Sequence, residues 1–211
     1  MKTEQLVTSL VADRARSTAP LGRSVSLAVA TGALVSLLIF ALEFGPRVDL
    51  AEAFATWRFD LKLVLVLAAL MAASGACVAM ARPVATGRWR WGVLSVAAIA
   101  AAALGAELVV LPARTWQASL VGSNALMCLI AIPLFALAPL AALLLVLRRT
   151  APASPALAGA AAGALAAAAA AAIYAFHCFD DSPLFVLTWY PLAAIPVIVS
   201  GALFGHRLLR W

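Results

Sequence analysis

The sequence predicts an all-α membrane protein built from six transmembrane helices. Hydrophobic residues make up 65% of the 211-residue chain and charged residues only 11%, whereas soluble domains are about half apolar and a quarter charged. A helix needs about 20 mostly apolar residues to cross the hydrocarbon core of a bilayer, and six stretches of the sequence meet that requirement. The strict alternation of apolar and polar residues that would indicate a transmembrane β-barrel is absent from the sequence.

The six spans fill residues 25–207 and leave only short connections, so we expect one transmembrane domain without a separate soluble domain. Each span should be an α-helix, because lipid offers no hydrogen-bond partners to the backbone. All six Trp residues lie near span ends, where indole rings favour the level of the lipid headgroups. The predicted spans are 25–44, 61–81, 91–111, 124–147, 155–176 and 186–205.

Residues 1–24 form a tail ahead of the first span. Apolar side chains recur in this tail at helical spacing, which predicts a short amphipathic helix that ends before Pro20. Such a helix is suited either to lying on the membrane surface or to binding a partner in a groove. Its apolar face consists of Leu6, Val7, Leu10 and Val11.

The connection 45–60 and the start of the second span carry charges that need partners. Aromatic residues stand among charges in 45–60, which predicts a helix resting on the membrane interface. Lys62 begins the second span, where an ionisable group is costly unless it is paired or reaches the interface. It can extend outward to the interface or pair with Glu43 or Glu107, which lie at the outer ends of spans one and three, and we expect structural pairing for all three residues.

Spans four to six are rich in Pro, Ala and Gly. Two prolines in span four and two in span six predict kinks. Span five is nearly all Ala between 158 and 172, with Gly159 and Gly163 four residues apart. Small residues allow transmembrane helices to approach closely, although a genome rich in Ala codons would produce the same run.

The distribution of basic residues predicts that both termini are cytoplasmic. Six crossings place the tail, the connections near 82–90 and 148–154, and the C-terminus on one side. That side holds eleven of the fifteen Lys and Arg residues, and basic residues favour the cytoplasmic side. We therefore expect a bacterial inner-membrane protein with both termini inside, in which the net charge of +6 reflects topology and not binding to nucleic acid.

A polar segment at 177–183 separates spans five and six and faces the predicted periplasm. It combines a thiol and an imidazole, which suit soft or borderline ions such as copper or zinc, with two carboxylates. The alternative is structural, because Asp or Ser before Pro183 is a common start of a helix and would simply cap span six. The candidate ligands are His177, Cys178, Asp180 and Asp181.

The three cysteines differ in their depth in the membrane. Cys128 lies one turn inside the outer end of span four, at a depth similar to that of Cys178, whereas Cys77 lies near the inner end of span two. Neighbouring thiols in the oxidising periplasm can form a disulfide. Cys128 and Cys178 are therefore candidates for a redox-sensing or metal-sensing pair, although a buried cysteine can equally serve as a small apolar residue.

Two other classes of function fit the residue pattern less well. A thiol oxidoreductase that passes electrons to quinone would need a redox pair such as Cys-x-x-Cys and a second disulfide, which three scattered cysteines do not supply. A small permease would carry polar residues at midspan, and these spans have almost none. No enzyme active site is visible in the sequence.

Motifs along the whole chain resemble the NrsF family, the negative regulators of sigma F. The strongest is the unusual run His-Cys-Phe-Asp-Asp-Ser-Pro-Leu-Phe at 177–185, and the two characteristic cysteines of the family correspond to Cys128 and Cys178. Shorter matches are Gly-Pro-Arg-Val-Asp-Leu at 45–50, Arg-Phe-Asp-Leu-Lys at 58–62, Leu-Met-Cys at 126–128, Leu-Arg-Arg at 147–149 and Trp-Tyr at 189–190.

The resemblance implies an anti-sigma factor that holds an extracytoplasmic-function sigma factor at the inner membrane and has no enzymatic activity. It implies that a metal or oxidative signal on the outer side releases the sigma factor. The polar segment 177–183 would receive the signal, and the tail or the basic inner connections would bind the partner.

Overall fold

The structure is a computed structural model that describes residues 20–85 and 87–210. Within these residues it contains α-helices and one 3₁₀ turn and has no strand. Six helices are long and apolar enough to cross a membrane, which confirms this part of the predicted fold class. They are α1 (Leu21–Glu43), α3 (Trp57–Met80), α4 (Trp89–Val110), α6 (Ala125–Leu147), α7 (Pro155–Tyr174) and α8 (Pro183–Leu208).

The short elements lie in two of the connections. Helix α2 (Leu50–Ala53) lies between α1 and α3, and a 3₁₀ turn (Ala113–Thr115) followed by α5 (Trp116–Val121) lies between α4 and α6. The interfacial helix predicted within 45–60 is thus reduced to the single turn α2. The tail with its apolar stripe Leu6, Val7, Leu10 and Val11 lies outside the described residues.

The helices begin and end within four residues of the predicted spans, and several extend past the apolar stretch. Helix α3 begins at Trp57 instead of Leu61, because the Thr56 side chain accepts a hydrogen bond of 3.4 Å from the Phe59 amide and so caps the first turn. Helix α8 begins at Pro183, the position at which proline is best tolerated in a helix. The earlier start of α3 places the charged residues Arg58 and Asp60 on this helix.

The central helix of the bundle is α7, which packs against α8, α6 and α3. Its alanines are mostly buried, whereas α4 lies at the periphery and buries only Ala103 and Glu107. We call the end of the bundle that holds the α1–α3, α4–α6 and α7–α8 connections the outer end, and the opposite end the inner end. Which compartment each end faces stays a prediction from the basic residues.

Glycines bring α7 and α8 into direct backbone contact. A Cβ atom on Gly159 would lie 2.1 Å from the Gly201 carbonyl oxygen, and one on Gly163 would lie 2.6 Å from the Val197 carbonyl oxygen. Gly201 and Gly205 show the same crowding from the α8 side. The small residues of span five therefore serve close helix packing, as expected of transmembrane interfaces.

A serine compensates for the proline at the centre of α6. Pro139 has no amide hydrogen, so the Phe135 carbonyl loses its helical partner. The Ser36 hydroxyl of α1 donates to that carbonyl at 2.6 Å, and α1 approaches so closely that a Cβ on Gly32 would lie 2.4 Å from Pro139 Cα. This contact joins α1 to α6 at mid-membrane.

We predict that Gly159→Ala destabilises the bundle by about 1–3 kcal/mol, the usual cost of overpacking a core. The added methyl group would collide with the α8 backbone, which cannot move aside as a flexible side chain would. Thermal unfolding of the purified protein in detergent measures the effect.

Gly105→Ala on α4 is the matched control, because a Cβ there meets no atom within 4 Å. We expect this variant to unfold at the wild-type temperature or slightly above it. Equal melting temperatures for the two variants would contradict the proposed α7–α8 contact.

Candidate functional site

The outer end brings the two predicted cysteines together. Cys128 lies in the first turn of α6, and Cys178 lies four residues after the end of α7. Both thiols are free and fully buried, and they lie beside each other within interaction distance. Cys77 is also free and buried, but it lies one turn from the inner end of α3. Cys128 and Cys178 thus form a dithiol pair without Cys77.

Two tyrosines accompany the thiol pair. The side chain of Tyr174 lies beside Cys128 and that of Tyr190 beside Cys178. The two rings are 6.3 Å apart, and both hydroxyl oxygens are buried without a hydrogen bond of standard geometry to any described residue. The thiols therefore lie in a small polar pocket at the end of an otherwise apolar core.

The surroundings of Cys178 favour its thiolate form. A hydrogen bond from the Cys128 thiol, assisted by the positive charge of Lys62, holds the pKa of the Cys178 thiol below its usual range, although burial opposes this effect. The Cys178 sulfur also lies 3.7 Å from the Asp180 carbonyl oxygen. Because the thiolate is the form that reacts and binds metals, these contacts favour Cys178 over Cys128 as the thiolate of the pair.

Two buried cations bind the main chain of Cys178. Lys62 Nζ donates to the Cys178 carbonyl oxygen at 2.8 Å, and Arg47 Nη1 donates to the same oxygen at 3.3 Å. Both cations also pair with the Asp181 carboxylate, with a distance of 2.8 Å from Arg47 Nη1 to Oδ2. Arg47 further binds Asp49 through two bonds of 2.7 Å. We call Arg47, Asp49, Lys62 and Asp181 the outer ion cluster.

The outer ion cluster is largely shielded from solvent. The exposed fraction of the side chain is 0% for Lys62, 6% for Arg47 and 14% for Asp181. The Arg47 guanidinium stacks over the Phe179 ring at 4.9 Å, which covers the cluster from outside. Hydrogen bonding to Arg47 lowers the pKa of Asp49. Each charge in the cluster therefore has an opposite partner within hydrogen-bond distance.

Lys62 does not pair with Glu43 or Glu107, so our sequence-based expectation was wrong. Glu107 is fully buried and instead accepts hydrogen bonds of 3.0 Å from Arg58 and 2.8 Å from the Ser182 hydroxyl. The Lys62 side chain points toward the α7–α8 connection, where Asp181 offers a carboxylate. Sequence distance concealed this partner, which lies 119 residues further along the chain.

The remaining predicted ligands are engaged elsewhere at the outer end. The Nδ1–H of His177 donates to the Gly45 carbonyl oxygen at 2.9 Å, and its ring packs edge-on against Phe44, the residue after α1. The Asp180 carboxylate accepts from the backbone amides of Ser123 and Asn124 at 2.9 and 2.8 Å, just before α6 begins. His177 and Asp180 thus fasten neighbouring connections to the segment 177–183.

The segment 177–183 does more than cap α8. Ser182 occupies the N-cap position of α8 and Pro183 follows it, as the capping alternative predicted, but the Ser182 side chain makes no cap hydrogen bond. The two aspartates point away from the α8 amides toward other connections. The polar segment therefore joins the outer ends of the helices together.

The thiol pair supplies sulfur ligands but not a complete metal site. Among residues 20–85 and 87–210, no group of three or more His, Cys, Asp and Glu side chains is arranged to hold a metal ion. His177 and Asp181 would have to leave Gly45 and the buried cations before they could join the thiols. The arrangement thus fits direct chemistry on the two sulfurs more readily than a preformed four-ligand site.

Sequence reasoning missed Arg47, Tyr174 and Tyr190 as members of the site. Arg47 was one of only four basic residues on the predicted outer side, where acidic residues are more numerous. A rare basic residue among acids could have been recognised as a candidate ion-pair partner. The tyrosines offered no such signal, because their spacing resembles that of ordinary aromatic core residues.

A bundle of six membrane-length helices whose buried charged residues lie at one end has the architecture of a multi-pass membrane protein. The chain matches the family model described as NrsF, negative regulator of sigma F, over residues 10–211, and it belongs to this family. It is 29% identical to the Anti-sigma-F factor NrsF of Caulobacter vibrioides (strain NA1000 / CB15N), with 100% of both chains covered. No solved structure matches.

Membership makes the chain a negative regulator of a sigma factor, with a sigma factor as its partner. This role is regulatory and not enzymatic. The family match confirms the resemblance found in the sequence. The class of the sigma factor, the signal and the use of the cysteines are matters for proposal.

We predict that Asp181→Asn destabilises the protein by about 3–5 kcal/mol, the usual cost of breaking a buried ion pair. The substitution removes the anion that Lys62 and Arg47 share, while both cations stay buried. Thermal unfolding in detergent, followed by circular dichroism, measures the change.

Asp60→Asn is the control, because Asp60 is exposed on the first turn of α3 and no side-chain ion pair holds it among the described residues. Its removal should cost less than about 1 kcal/mol, the scale of a helix-dipole effect. A melting temperature of Asp181→Asn equal to that of the control would show that the cluster does not hold the outer end together.

Proposed function

We propose that the protein holds an extracytoplasmic-function sigma factor at the bacterial inner membrane and releases it when the outer thiol pair is modified. The observation that carries the proposal is the contact between Cys128 and Cys178, which joins α6 to the α7–α8 connection. Membership of a family of sigma-factor regulators supports a partner on the cytoplasmic side.

The proposed orientation places the thiol pair in the periplasm and both termini in the cytoplasm. Basic residues support it, because eleven of fifteen lie at the inner end or in the tail. Sigma factors act on transcription in the cytoplasm, so the inner end must face the partner. The outer end is then free to receive an external signal.

Two chemical events at the thiol pair fit the proposal. An oxidant would take two electrons and two protons from the thiols and leave a disulfide between Cys128 and Cys178. Alternatively, a soft or borderline ion such as copper or zinc would displace the protons and bind both sulfurs. The lowered pKa of Cys178 favours either event, because both proceed through the thiolate.

The outer ion cluster offers a route from the thiols to the inner end. Modification of Cys178 would displace its carbonyl, which Lys62 and Arg47 hold. Lys62 belongs to α3, and this helix runs without a break to Met80 at the inner end. A shift of the Cys178 carbonyl would thus change how α3 packs on α7 and alter the surface that holds the sigma factor.

The tail is the proposed contact with the sigma factor. Its stripe of Leu6, Val7, Leu10 and Val11 can dock in a groove as one apolar helix face. The tail joins the bundle at Pro20 and α1, so a change in helix packing would reach it directly. The basic inner connections would contribute charge at the same end.

We expect reporter fusions to confirm the proposed orientation. A reporter joined after Ala151 or at the C-terminus should report the cytoplasm, and one near Asp180 should report the periplasm. Paired alkaline phosphatase and fluorescent-protein fusions give opposite readouts and control for expression. A periplasmic C-terminus would turn the thiol pair inward and remove the basis of the proposal.

We expect Cys128→Ser and Cys178→Ser each to abolish the response of sigma-dependent transcription to metal or oxidative stress. Each variant lacks one sulfur, so neither a disulfide nor a two-sulfur metal site can form. Cys77→Ser is the matched control and should respond as wild type, because Cys77 lies at the inner end. Mass measurement after alkylation separates a disulfide from a bound metal.

If both single variants at Cys128 and Cys178 still respond normally, the thiol pair does not sense the signal. The pair would then be a packed core contact. A reporter gene for the sigma factor, measured with equal amounts of each variant in the membrane, decides between these outcomes.

We expect Leu6→Asp combined with Leu10→Asp to release the sigma factor without a signal and raise its target transcription. Two charges on the apolar face would prevent docking. Gln5→Asp combined with Ser9→Asp adds the same charge on the opposite face and should leave transcription repressed. Continued repression by the Leu6 and Leu10 variant, present normally in the membrane, would move the contact to the inner connections.

A further inference from the structure

The inner end of the bundle contains a cavity of about 510 Å³ between α1, α6 and the residues that follow α3. Two basic residues, Arg82 and Arg149, line it together with Ser24 and the apolar residues Leu21 and Val146. The cavity therefore has a cationic part and an apolar part next to each other.

Among residues 20–85 and 87–210, the charged side chains at this end of the bundle are all basic. The chain has nine Asp and Glu residues; Glu4 and Asp13 belong to the tail, and the other seven all lie at the outer end. Neither Arg82 nor Arg149 forms an ion pair with any residue in 20–85 or 87–210. Two guanidiniums that line one cavity without an acidic partner select an anion, and their planar forks suit phosphate oxygens.

The position of the cavity restricts the source of that anion. Leu21 is the first residue of α1 and Val146 lies in the last turn of α6, so the cavity opens where these helices leave the apolar core. Basic pockets between transmembrane helices at this depth bind the headgroups of anionic lipids. The N-terminal end of α1 adds the positive end of its dipole.

We infer that this cavity binds an anionic phospholipid, with its phosphodiester between Arg82 and Arg149 and its acyl chains along the lipid-facing surface of α6. Leu145, beside Val146, is 61% exposed and continues the apolar surface away from the cavity. A phospholipid supplies both the anion and the apolar part. The carboxylates of a folded protein partner would have to reach between the helix ends to make the same contacts.

A lipid in this cavity would lie at the base of the tail. Leu21 follows Pro20, at which the tail meets α1, and α1 is fastened to α6 through Ser36 and Gly32. The next step rests on the proposed function. Anionic lipid in the cavity would order the inner end and strengthen binding of the sigma factor. Membrane composition would then tune the resting level of repression.

The test compares lipid binding by the full-length purified protein and its variants in detergent. Native mass spectrometry with added dioleoyl phosphatidylglycerol should show retained lipid on the wild type, and dioleoyl phosphatidylcholine should bind far more weakly. Arg82→Gln combined with Arg149→Gln should weaken phosphatidylglycerol binding by about thirtyfold, since each basic group near a membrane surface contributes about fivefold. Inorganic phosphate at equal concentration should not compete.

Arg148→Gln is the matched control, because Arg148 is adjacent in sequence but is not part of the cavity wall. It should bind phosphatidylglycerol as wild type does. Arg82→Lys combined with Arg149→Lys retains the charge and should restore binding in part. If the double Gln variant does not fold, the two single Gln variants provide the same comparison.

Four results would overturn the inference, of which the first three concern lipid binding alone. They are equal binding of the two lipids, an equal loss in Arg148→Gln, and competition by inorganic phosphate, which would show a site for the free anion. A loss of sigma-factor binding by the double Gln variant in lipid-free detergent, with lipid binding unchanged, would assign the arginines to the protein partner. The lipid result stands separately from the proposed function, because it requires no sigma factor.

Discussion

The outer end depends on the burial of two cations around one carboxylate. Lys62 has no exposed side-chain surface and Arg47 almost none, so each would be strongly destabilising without a nearby anion. Asp181 pairs with both cations, Asp49 supplies the second negative charge at Arg47, and the Cys178 carbonyl accepts a further hydrogen bond from each cation. Because Arg47, Lys62 and Asp181 come from the first connection, α3 and the α7–α8 connection, three parts of the chain must meet before Lys62 and Asp181 are paired.

The same constraint sets the environment of the thiol pair. Cys178 is held through its main chain by the cations and through its side chain by Cys128 of α6. A group fastened on both sides cannot change its chemistry without disturbing one of its attachments. Glycine contacts between α7 and α8, and the Ser36 bond between α1 and α6, leave the helices little room to absorb such a disturbance locally. The bundle is thus suited to pass a change at one end to the other.

The two ends of the molecule are chemically opposite. Buried, paired charges and thiols lie at the outer end, where every described acidic residue is found. The inner end carries arginines without acidic partners among the described residues, and it adjoins the tail. The proposed function needs this separation, because each end can then bind its own ligand.

Much of the architecture could be predicted from composition alone. Twenty or more apolar residues in a row must form a helix in lipid, since the backbone has no other partner there, and the six spans were therefore located to within a few residues. The position of Cys128 and Cys178 at the same end of the bundle was predicted from the same spans. The long run at 177–185 also indicated the family, because so unusual a combination of residues rarely arises by chance.

The partners of the polar side chains were decided only by the tertiary structure. Seven acids lie at the same end as Lys62, and nothing in the sequence states which helix faces which. Asp181 is its partner because α7 lies at the centre of the bundle and brings the α7–α8 connection over α3. His177 and Asp180 likewise bind backbone groups of distant connections, which leave no mark in the local sequence. Hydropathy determines how deep a residue lies, whereas helix packing determines which residue it meets at that depth.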